Sequence, residues 1–391
     1  SWIQIKEIQN YIQDDPLLDW LNLYGKEKFC PNSIQPIFAQ YLFQRSRLFE
    51  ERIIQHIRTH IRDNYFVAIP SHLPIRQRIG ETGDLMTKGI PVIYQGAVFD
   101  SQTYIYGIPD LLVRSDYVEK IIYQLSSEKE FTGETAGRRT SEFIPSNGSS
   151  SGCKFHSEWH YCVMDIKFLK LKGSHQRESS FLTTLQNNKK IKVYKAYLTL
   201  FNQCLGRWQG FDPPQCYLIG RRDSQHKRQL LPSESLFGVG GISPQEHDLS
   251  LYHKAQQAVT WLVKLHQYGS HWSLLPPSTQ ELYPNMSNHE DHPWHQVKKQ
   301  IAQELQEITL LWNCGPKHRQ YAHGNGQFQW TQIKDSASSL NLGDKRGHIV
   351  DKMININKPY HSQTSSLDLL VSPRRIKKQE NLVLLQSHKL E

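Results

Sequence analysis

Apolar and polar positions alternate with two different periods along this chain. Up to about residue 64, apolar residues such as Phe49, Ile53 and Ile57 recur every three or four positions, which is the spacing of an amphipathic helix. Shorter β-prone runs follow, separated by helical spacing. They predict, in order, a strand at 90–99, a strand at Asp110, a helix from about Tyr117, a strand at 161–171, a helix at about 186–206 and a strand at 216–221. Strands and helices that alternate in this way predict an α/β core.

Helical spacing alone returns in the last third of the chain, from about 246 to 315. A polar stretch at about 126–157 has too few apolar residues to pack, so it predicts an insertion in the core. The predicted organisation therefore has three parts. They are an α/β core with N-terminal helices at 1–225, a mostly helical domain at 226–357 and a polar basic tail or linker at 358–391.

The composition of the chain indicates which kind of molecule it binds. Lys plus Arg number 46 against 37 Asp plus Glu, which gives a net charge of +9 and an attraction to polyanions such as nucleic acids. No apolar run approaches the ~18 residues that span a bilayer, and no signal peptide opens the chain. The six cysteines are scattered, as in proteins of a reducing compartment. We therefore expect an intracellular protein, cytoplasmic or nuclear, without a membrane partner.

Two apolar runs each contain an acidic residue that points to chemistry. Asp110 follows Gly107-Ile108-Pro109 and opens a β-prone run, while Asp165 lies inside the run at 161–168. Strand alternation places Lys167 on the same face as Asp165, because side chains two residues apart share a face. A carboxylate in a buried run is costly unless it binds a metal ion or a cation.

Two carboxylates and a lysine are suited to phosphodiester hydrolysis. Mg²⁺ is usually held by one or two carboxylates together with phosphate oxygens and waters. We expect Asp110, Asp165 and the carbonyl oxygen of Ile166 to bind Mg²⁺ or Mn²⁺. The ammonium of Lys167 would then orient the attacking water and stabilise the charge of the transition state.

The Gly-Ile-Pro-Asp motif followed by the Asp-x-Lys strand resembles the RecB-like branch of the PD-(D/E)XK nuclease superfamily. The segments at 90–100 and 217–222 are also similar to that branch, and the likeness covers most of the chain. The resemblance implies a restriction-endonuclease-like core, with a mixed central sheet flanked by helices, followed by a mostly helical domain. It also implies a catalytic and metal-binding glutamate on a preceding helix, for which Glu50 is preferred and Glu51 is the alternative.

The same resemblance implies a helix after the Asp-x-Lys strand that carries Gln-xxx-Tyr and contacts nucleic acid. The chain aligns Val193 and Tyr197 with this motif, so valine replaces the glutamine. Basic and aromatic side chains on this helix are expected to meet phosphates and bases, namely Lys192, Tyr194, Lys195 and Tyr197. The alternative is an amphipathic core helix with a solvated lysine edge.

Two other segments have the residue types of a zinc site. One runs from Cys153 to Cys162 with His156 and His160, and the other contains His289, His292 and His295. The first ends inside a predicted strand, where alternation is expected rather than a ligand loop. The second fits a polar loop before a helix, so we favour no zinc site in either segment.

Together these features predict a Mg²⁺-dependent deoxyribonuclease. The resemblance implies in-line attack by activated water that leaves a 5′-phosphate, and a helicase or RNase H-like partner. DNA repair, recombination and defence against foreign DNA all stay open as its pathway. One alternative is a non-catalytic nucleic-acid-binding subunit, such as a degenerate nuclease domain of a helicase–nuclease assembly. Another is a helical scaffold in which the acids are merely ion-paired.

Overall fold

The structure is a computed structural model that describes 2–31, 37–126, 153–171, 173–174, 182–222 and 237–363. Contacts divide the chain into two compact units, of which the first contains 1–12 and 35–263 and the second contains 13–34 and 264–391. Most of the predicted insertion and most of the predicted basic tail lie outside the described residues.

Eleven α-helices occur in the described part of the chain. In chain order they are α1 (Gln9–Ile12), α2 (Leu17–Tyr24), α3 (Ile37–His60), α4 (Ile75–Thr87), α5 (Ser115–Ser126), α6 (Lys189–Gln209), α7 (Leu249–Tyr268), α8 (His295–Glu304), α9 (Pro316–Gly324), α10 (Ser336–Ser339) and α11 (Asp344–Gln363). Short 3₁₀ turns occur at Ile5–Ile8, Gly25–Glu27, Asp63–Tyr65, Gly269–His271, Gln280–Leu282, Ile308–Leu310 and Trp330–Gln332.

In the part of the chain that the structure describes, the strands all belong to the first unit. In chain order they are β1 (Ile3–Gln4), β2 (Phe66–Ala68), β3 (Val92–Tyr94), β4 (Val98–Asp100), β5 (Ile105–Gly107), β6 (Leu111–Arg114), β7 (Tyr161–Leu171), β8 (Gly173–Ser174), β9 (Leu182–Leu185), β10 (Cys216–Arg222) and β11 (Phe237–Ile242).

An eight-stranded mixed sheet forms the centre of the first unit, in the order β2-β3-β6-β7-β10-β11-β9-β8. Within it β3, β6 and β7 are antiparallel neighbours, whereas β10 runs parallel to β7 after the chain crosses over through α6. A separate three-stranded sheet has the order β1-β5-β4. The prediction of an α/β fold with a mixed sheet flanked by helices is confirmed.

Helix α3 is attached to the sheet by its C-terminal half. Phe49, Ile53 and Ile57 recur at helical spacing, are buried, and share one core with strand residues such as Leu111 and Met164. Each such side chain contributes roughly 1.5–3 kcal/mol when it is fully removed from water. This packing sets Glu50, which lies between Phe49 and Glu51, at the edge of the core.

The predicted strand at 90–99 is wrong as a single element. It consists of β3 and β4, which pair in different sheets. Gln95 lies between them with a φ of 60°, a left-handed conformation that extended strands do not contain. The sheet also continues beyond the predicted domain boundary at 225, because β11 pairs with β10.

The second unit is helical in its described part, and its own core is formed around Trp330. Lys298 of α8 is fully buried in this unit, and its Nζ lies 2.8 Å from Oδ2 of Asp15 and 2.6 Å from Oδ2 of Asp291. The same ammonium donates to the carbonyl oxygens of Asn285 and Asn288. Every proton of this buried charge therefore has an acceptor. Among the described residues, no helix has the combination of length and apolar character that crossing a bilayer requires.

His160 makes the stability of the first unit dependent on pH. Its ring lies 4.6 Å from that of Phe211, and burial lowers the pKa of His160 to about 4. The folded state thus binds fewer protons than the unfolded state between pH ~6.5 and ~4, so stability falls as the pH falls through this window. We expect His160→Gln to reduce the loss of unfolding free energy between pH 7 and 5 by about 1 kcal/mol.

Urea unfolding at both pH values measures this difference. His253→Gln, at an exposed histidine of the same unit, is the control and should leave the pH dependence unchanged. An equal pH dependence in the His160→Gln variant and the parent chain would contradict the prediction.

Candidate active site

Strand register brings the two aspartates together although they are 55 residues apart. Leu111 pairs with Met164 across the antiparallel strands β6 and β7, so the next position of each strand places Asp110 opposite Asp165. The amide nitrogen of Asp110 lies 3.4 Å from Oδ1 of Asp165. Both side chains are buried.

Lys167 lies between the two carboxylates. Its Nζ is 2.7 Å from Oδ2 of Asp165 and 3.0 Å from Oδ2 of Asp110. It also donates to the carbonyl oxygen of Ile166 at 3.1 Å, while the amide nitrogen of Ile166 donates to Oδ2 of Asp110 at 2.6 Å. Three oxygen atoms thus surround one positive charge, and the predicted shared face of Asp165 and Lys167 is confirmed.

Glu50 reaches this cluster from α3. Its Oε1 accepts a hydrogen bond of 2.8 Å from the hydroxyl of Tyr94 and one of 3.2 Å from Nε2 of Gln95. Glu51, the alternative, instead forms an exposed ion pair with Arg47 at 2.9 Å. Glu50 is therefore the acid that faces the aspartates.

Gln95 connects the two halves of the site. Its Nε2 lies 3.2 Å from Glu50 and 3.4 Å from Oδ1 of Asp110, and its amide nitrogen donates to the carbonyl oxygen of Asp110 at 2.9 Å. The side chain of Gln95 lies between the two acids, and its positive φ is a strained backbone conformation of the kind that clusters at functional sites. Sequence reasoning missed this residue, although a polar side chain directly after β3 and before Gly96 was a signal for it.

Burial and neighbouring charges shift the pKa values of the two aspartates in opposite directions. Burial, together with the negative charge of Asp110, raises the pKa of Asp165 to about 7. Burial also acts on Asp110, but the charge of Lys167 and the hydrogen bonds to its carboxylate outweigh it and lower the pKa of Asp110 below its usual value. Burial disfavours the ammonium of Lys167, yet the two carboxylates raise its pKa above the usual value, so Lys167 stays charged at neutral pH.

The carboxyl group of Glu50 also holds its proton more tightly than a free glutamate does. Burial raises the pKa of Glu50, and the charge of Asp110 raises it further, against the opposing hydrogen bond from Tyr94. Glu50 is thus a stronger base than an exposed carboxylate.

The donor atoms of the site fit a hard divalent cation. Oxygens of Asp110, Asp165 and Ile166 already lie within 3.1 Å of one cationic atom, and such oxygens are the ligands that Mg²⁺ prefers. Across the described residues, no three side chains of His, Cys, Asp or Glu are grouped so as to hold a metal ion. Glu50 consequently stands beside the two-aspartate cluster, joined to it through Gln95.

Two of the four expected nucleic-acid contacts on α6 are wrong for this structure. Lys195 is buried and pairs with Asp248 at 2.9 Å, and the buried Tyr197 donates to the carbonyl oxygen of Lys6 at 3.2 Å. Both are buried because α6 is covered on more than one side, by the central sheet and by the turn at Ile5–Ile8. Lys192 is exposed, and the half-buried Tyr194 ring lies 5.8 Å from Nζ of Lys167. Of the four side chains, these two are the ones accessible to solvent, and a nucleic-acid contact by them stays a prediction.

Comparison of this chain with models of known protein families gives no match, and comparison with proteins of curated function gives none either.

Proposed function

We propose that this chain is a metal-dependent nuclease of the PD-(D/E)XK type that hydrolyses phosphodiester bonds of DNA. The observation that carries the proposal is the convergence of Asp110, Asp165 and the carbonyl oxygen of Ile166 within 3.1 Å of the Lys167 ammonium. Such a set, with a helical glutamate beside it, suits the charge of a phosphodiester under attack.

Asp110, Asp165 and Ile166 are the residues that would hold Mg²⁺ or Mn²⁺. The bound ion would neutralise charge on the scissile phosphate and lower the pKa of a water molecule. The low pKa of Asp110 favours this role, because a ligand must be ionised to bind a cation.

Lys167 acts as a charge and a hydrogen-bond donor rather than as a base. Its ammonium remains protonated because two carboxylates lie within 3.0 Å. A fixed positive charge in a partly dry site stabilises the extra negative charge of the transition state. The half-buried ring of Tyr194 lies 5.8 Å from this ammonium, within the distance of a cation–π attraction.

Glu50 is assigned to the attacking water. Its Oε1 is engaged by Tyr94 and Gln95, so we assign Oε2 as the atom that orients the water and receives its proton. The raised pKa of this carboxyl makes it a better proton acceptor near neutral pH.

The alternative is a nucleic-acid-binding subunit without catalysis. The observation that favours it is Val193, which takes the place of the expected glutamine and is buried in the core of the first unit. In this case Asp110 and Asp165 would serve only to neutralise Lys167.

The test is cleavage of end-labelled single- and double-stranded DNA by the purified chain, with Mg²⁺, with Mn²⁺ and with EDTA. Products that appear with either metal ion and disappear with EDTA support the proposal. Binding without cleavage under both metal ions would support the alternative.

Gln95 offers a more specific test of the site. We expect Gln95→Gly to reduce cleavage about a hundredfold, because misplacing a catalytic group by about 1 Å has an effect of this size. Glycine adopts the positive φ freely, so the fold should keep its stability. Gln95→Ala also loses the amide but keeps a Cβ at the left-handed φ, so its unfolding free energy should lie about 1–2 kcal/mol below that of Gln95→Gly.

Gln102→Ala, at an exposed glutamine of the same unit, is the control and should behave as the parent chain. Cleavage rates measure the effect of losing the Gln95 amide, and urea unfolding measures the effect of the backbone conformation on stability. Full activity of Gln95→Gly would show that this amide does not position Glu50.

A further inference from the structure

The N-terminal half of α3 extends beyond the part of the helix that packs on the sheet. Residues 39–48 are exposed or half-buried around the whole circumference, whereas Phe49 and Ile53 are buried. Phe43 is 72% exposed, the highest exposed fraction among the large apolar side chains that stand out on the surface. A large apolar side chain in water is costly, so a partner for it is expected.

Phe43 is aligned with the candidate active site. At 100° per residue, Phe43, Arg47 and Glu50 occupy the i, i+4 and i+7 positions of one helix stripe. Seven residues at 1.5 Å each separate Phe43 from Glu50 by about 10 Å along the axis. Arg47 lies between them, with a side chain that is 74% exposed.

The charges of this half-helix suit a polyanion. No acidic residue occurs between 37 and 49, and Arg45 and Arg47 supply two positive charges. Arg47 forms an ion pair with Glu51 at 2.9 Å, with both side chains exposed. A pair of this kind contributes little, so Arg47 can exchange it for a phosphate.

From this geometry we propose that the stripe formed by Phe43 and Arg47 binds single-stranded DNA as it enters the site. This inference rests on the proposed function and names its substrate class. An aromatic ring next to an arginine binds a single strand because an unpaired base can stack on the ring while the guanidinium meets the backbone. In a duplex the base faces are already stacked, so Phe43 would gain no such contact.

The opposite face of the same helix provides a matched control. Tyr41 and Arg45 are also an aromatic residue and an arginine at i and i+4, and the Arg45 guanidinium lies 5.5 Å from the Tyr41 ring centroid. They are turned about 200° from Phe43 and Arg47 and therefore face away from the Glu50 stripe. The two faces carry the same residue types, so a comparison of their variants distinguishes binding next to the site from a general attraction of DNA to a basic, aromatic helix.

The experiment measures binding of a fluorescein-labelled oligothymidine of about 20 nucleotides, longer than typical site sizes of ~4–16. Fluorescence anisotropy in EDTA excludes cleavage from the signal. We expect Phe43→Ala to raise Kd about tenfold, as loss of one stacked base does. We expect Arg47→Ala to reduce the slope of log K against log salt by about 0.7, as loss of one phosphate contact does. Tyr41→Ala and Arg45→Ala should each stay within about twofold of the parent Kd.

Each of three results with the single strand would overturn the inference: no binding of the oligonucleotide by the parent chain, an unchanged Kd for Phe43→Ala, or equal losses on both faces. The inference would also be overturned if Phe43→Ala weakened the binding of a duplex as strongly as the binding of the single strand. Circular dichroism and thermal melting confirm that the variants fold, which is expected because these side chains are exposed. Cleavage with Mg²⁺ is scored separately: an active Phe43→Ala variant with parental affinity refutes this inference alone, whereas an inactive parent chain refutes the proposed function.

Discussion

Replacing Asp165 with asparagine is expected to lower the rate of Mg²⁺-dependent cleavage about a hundred- to a thousandfold. The substitution keeps the shape of the side chain but removes a charge that lies 2.7 Å from Nζ of Lys167 and that would hold the metal ion. Lys167→Met should have an effect of similar size, because the chain length stays while the ammonium is lost. End-labelled DNA under single-turnover conditions gives the rates.

Stability and binding distinguish this effect from damage to the fold. Burial and Asp110 raise the pKa of Asp165 above its unfolded value, so its contribution to stability is present at low pH and is lost as the pH rises through about 7. A neutral asparagine should therefore leave the melting temperature at pH 8 unchanged or higher. Asp116→Asn, at a half-exposed acid paired with Arg114, is the control and should cleave normally. Parental cleavage by Asp165→Asn would remove the basis of the proposed mechanism.

Lys298→Ala is expected to destabilise the second unit by about 3–5 kcal/mol. The side chain is fully buried, and Asp15 and Asp291 lie within 2.8 Å of its ammonium. Removing the lysine leaves two buried carboxylates that repel each other, and of the two only Asp291 keeps a basic neighbour, with Nδ1 of His295 at 2.8 Å. Urea unfolding measures the change, and Lys317→Ala, at an exposed lysine of the same unit, should change the unfolding free energy by less than about 0.5 kcal/mol.

A triple variant tests whether charge is the cause. Lys298→Met with Asp15→Asn and Asp291→Asn removes all three charges, and such replacements often restore stability or exceed it. We expect the triple variant to be more stable than Lys298→Ala. A Lys298→Ala variant that loses less than about 1 kcal/mol would show that water, rather than this network, satisfies the two acids.

Local pattern was sufficient to predict the elements that carry the candidate site. Strand β7 begins and ends at the predicted residues, and its alternation placed Asp165 and Lys167 on one face. The helical spacing around Phe49 likewise predicted the element that carries Glu50. These predictions succeed because a strand or a helix repeats over two to four residues, a distance that the sequence records directly.

Partners across long sequence separations were decided only by tertiary structure. The register of β6 against β7 sets Asp110 opposite Asp165, and a one-residue shift would have turned one of them to the other face. Packing of α6 against both the sheet and the turn at Ile5–Ile8 buried Lys195 and Tyr197, although their types suggested a nucleic-acid surface. The left-handed backbone at Gln95 likewise split one apolar run between two sheets. Periodicity therefore determined which residues share an element and a face. Which elements become neighbours depended on how apolar faces far apart in the sequence bury one another, and this is a property of the whole first unit.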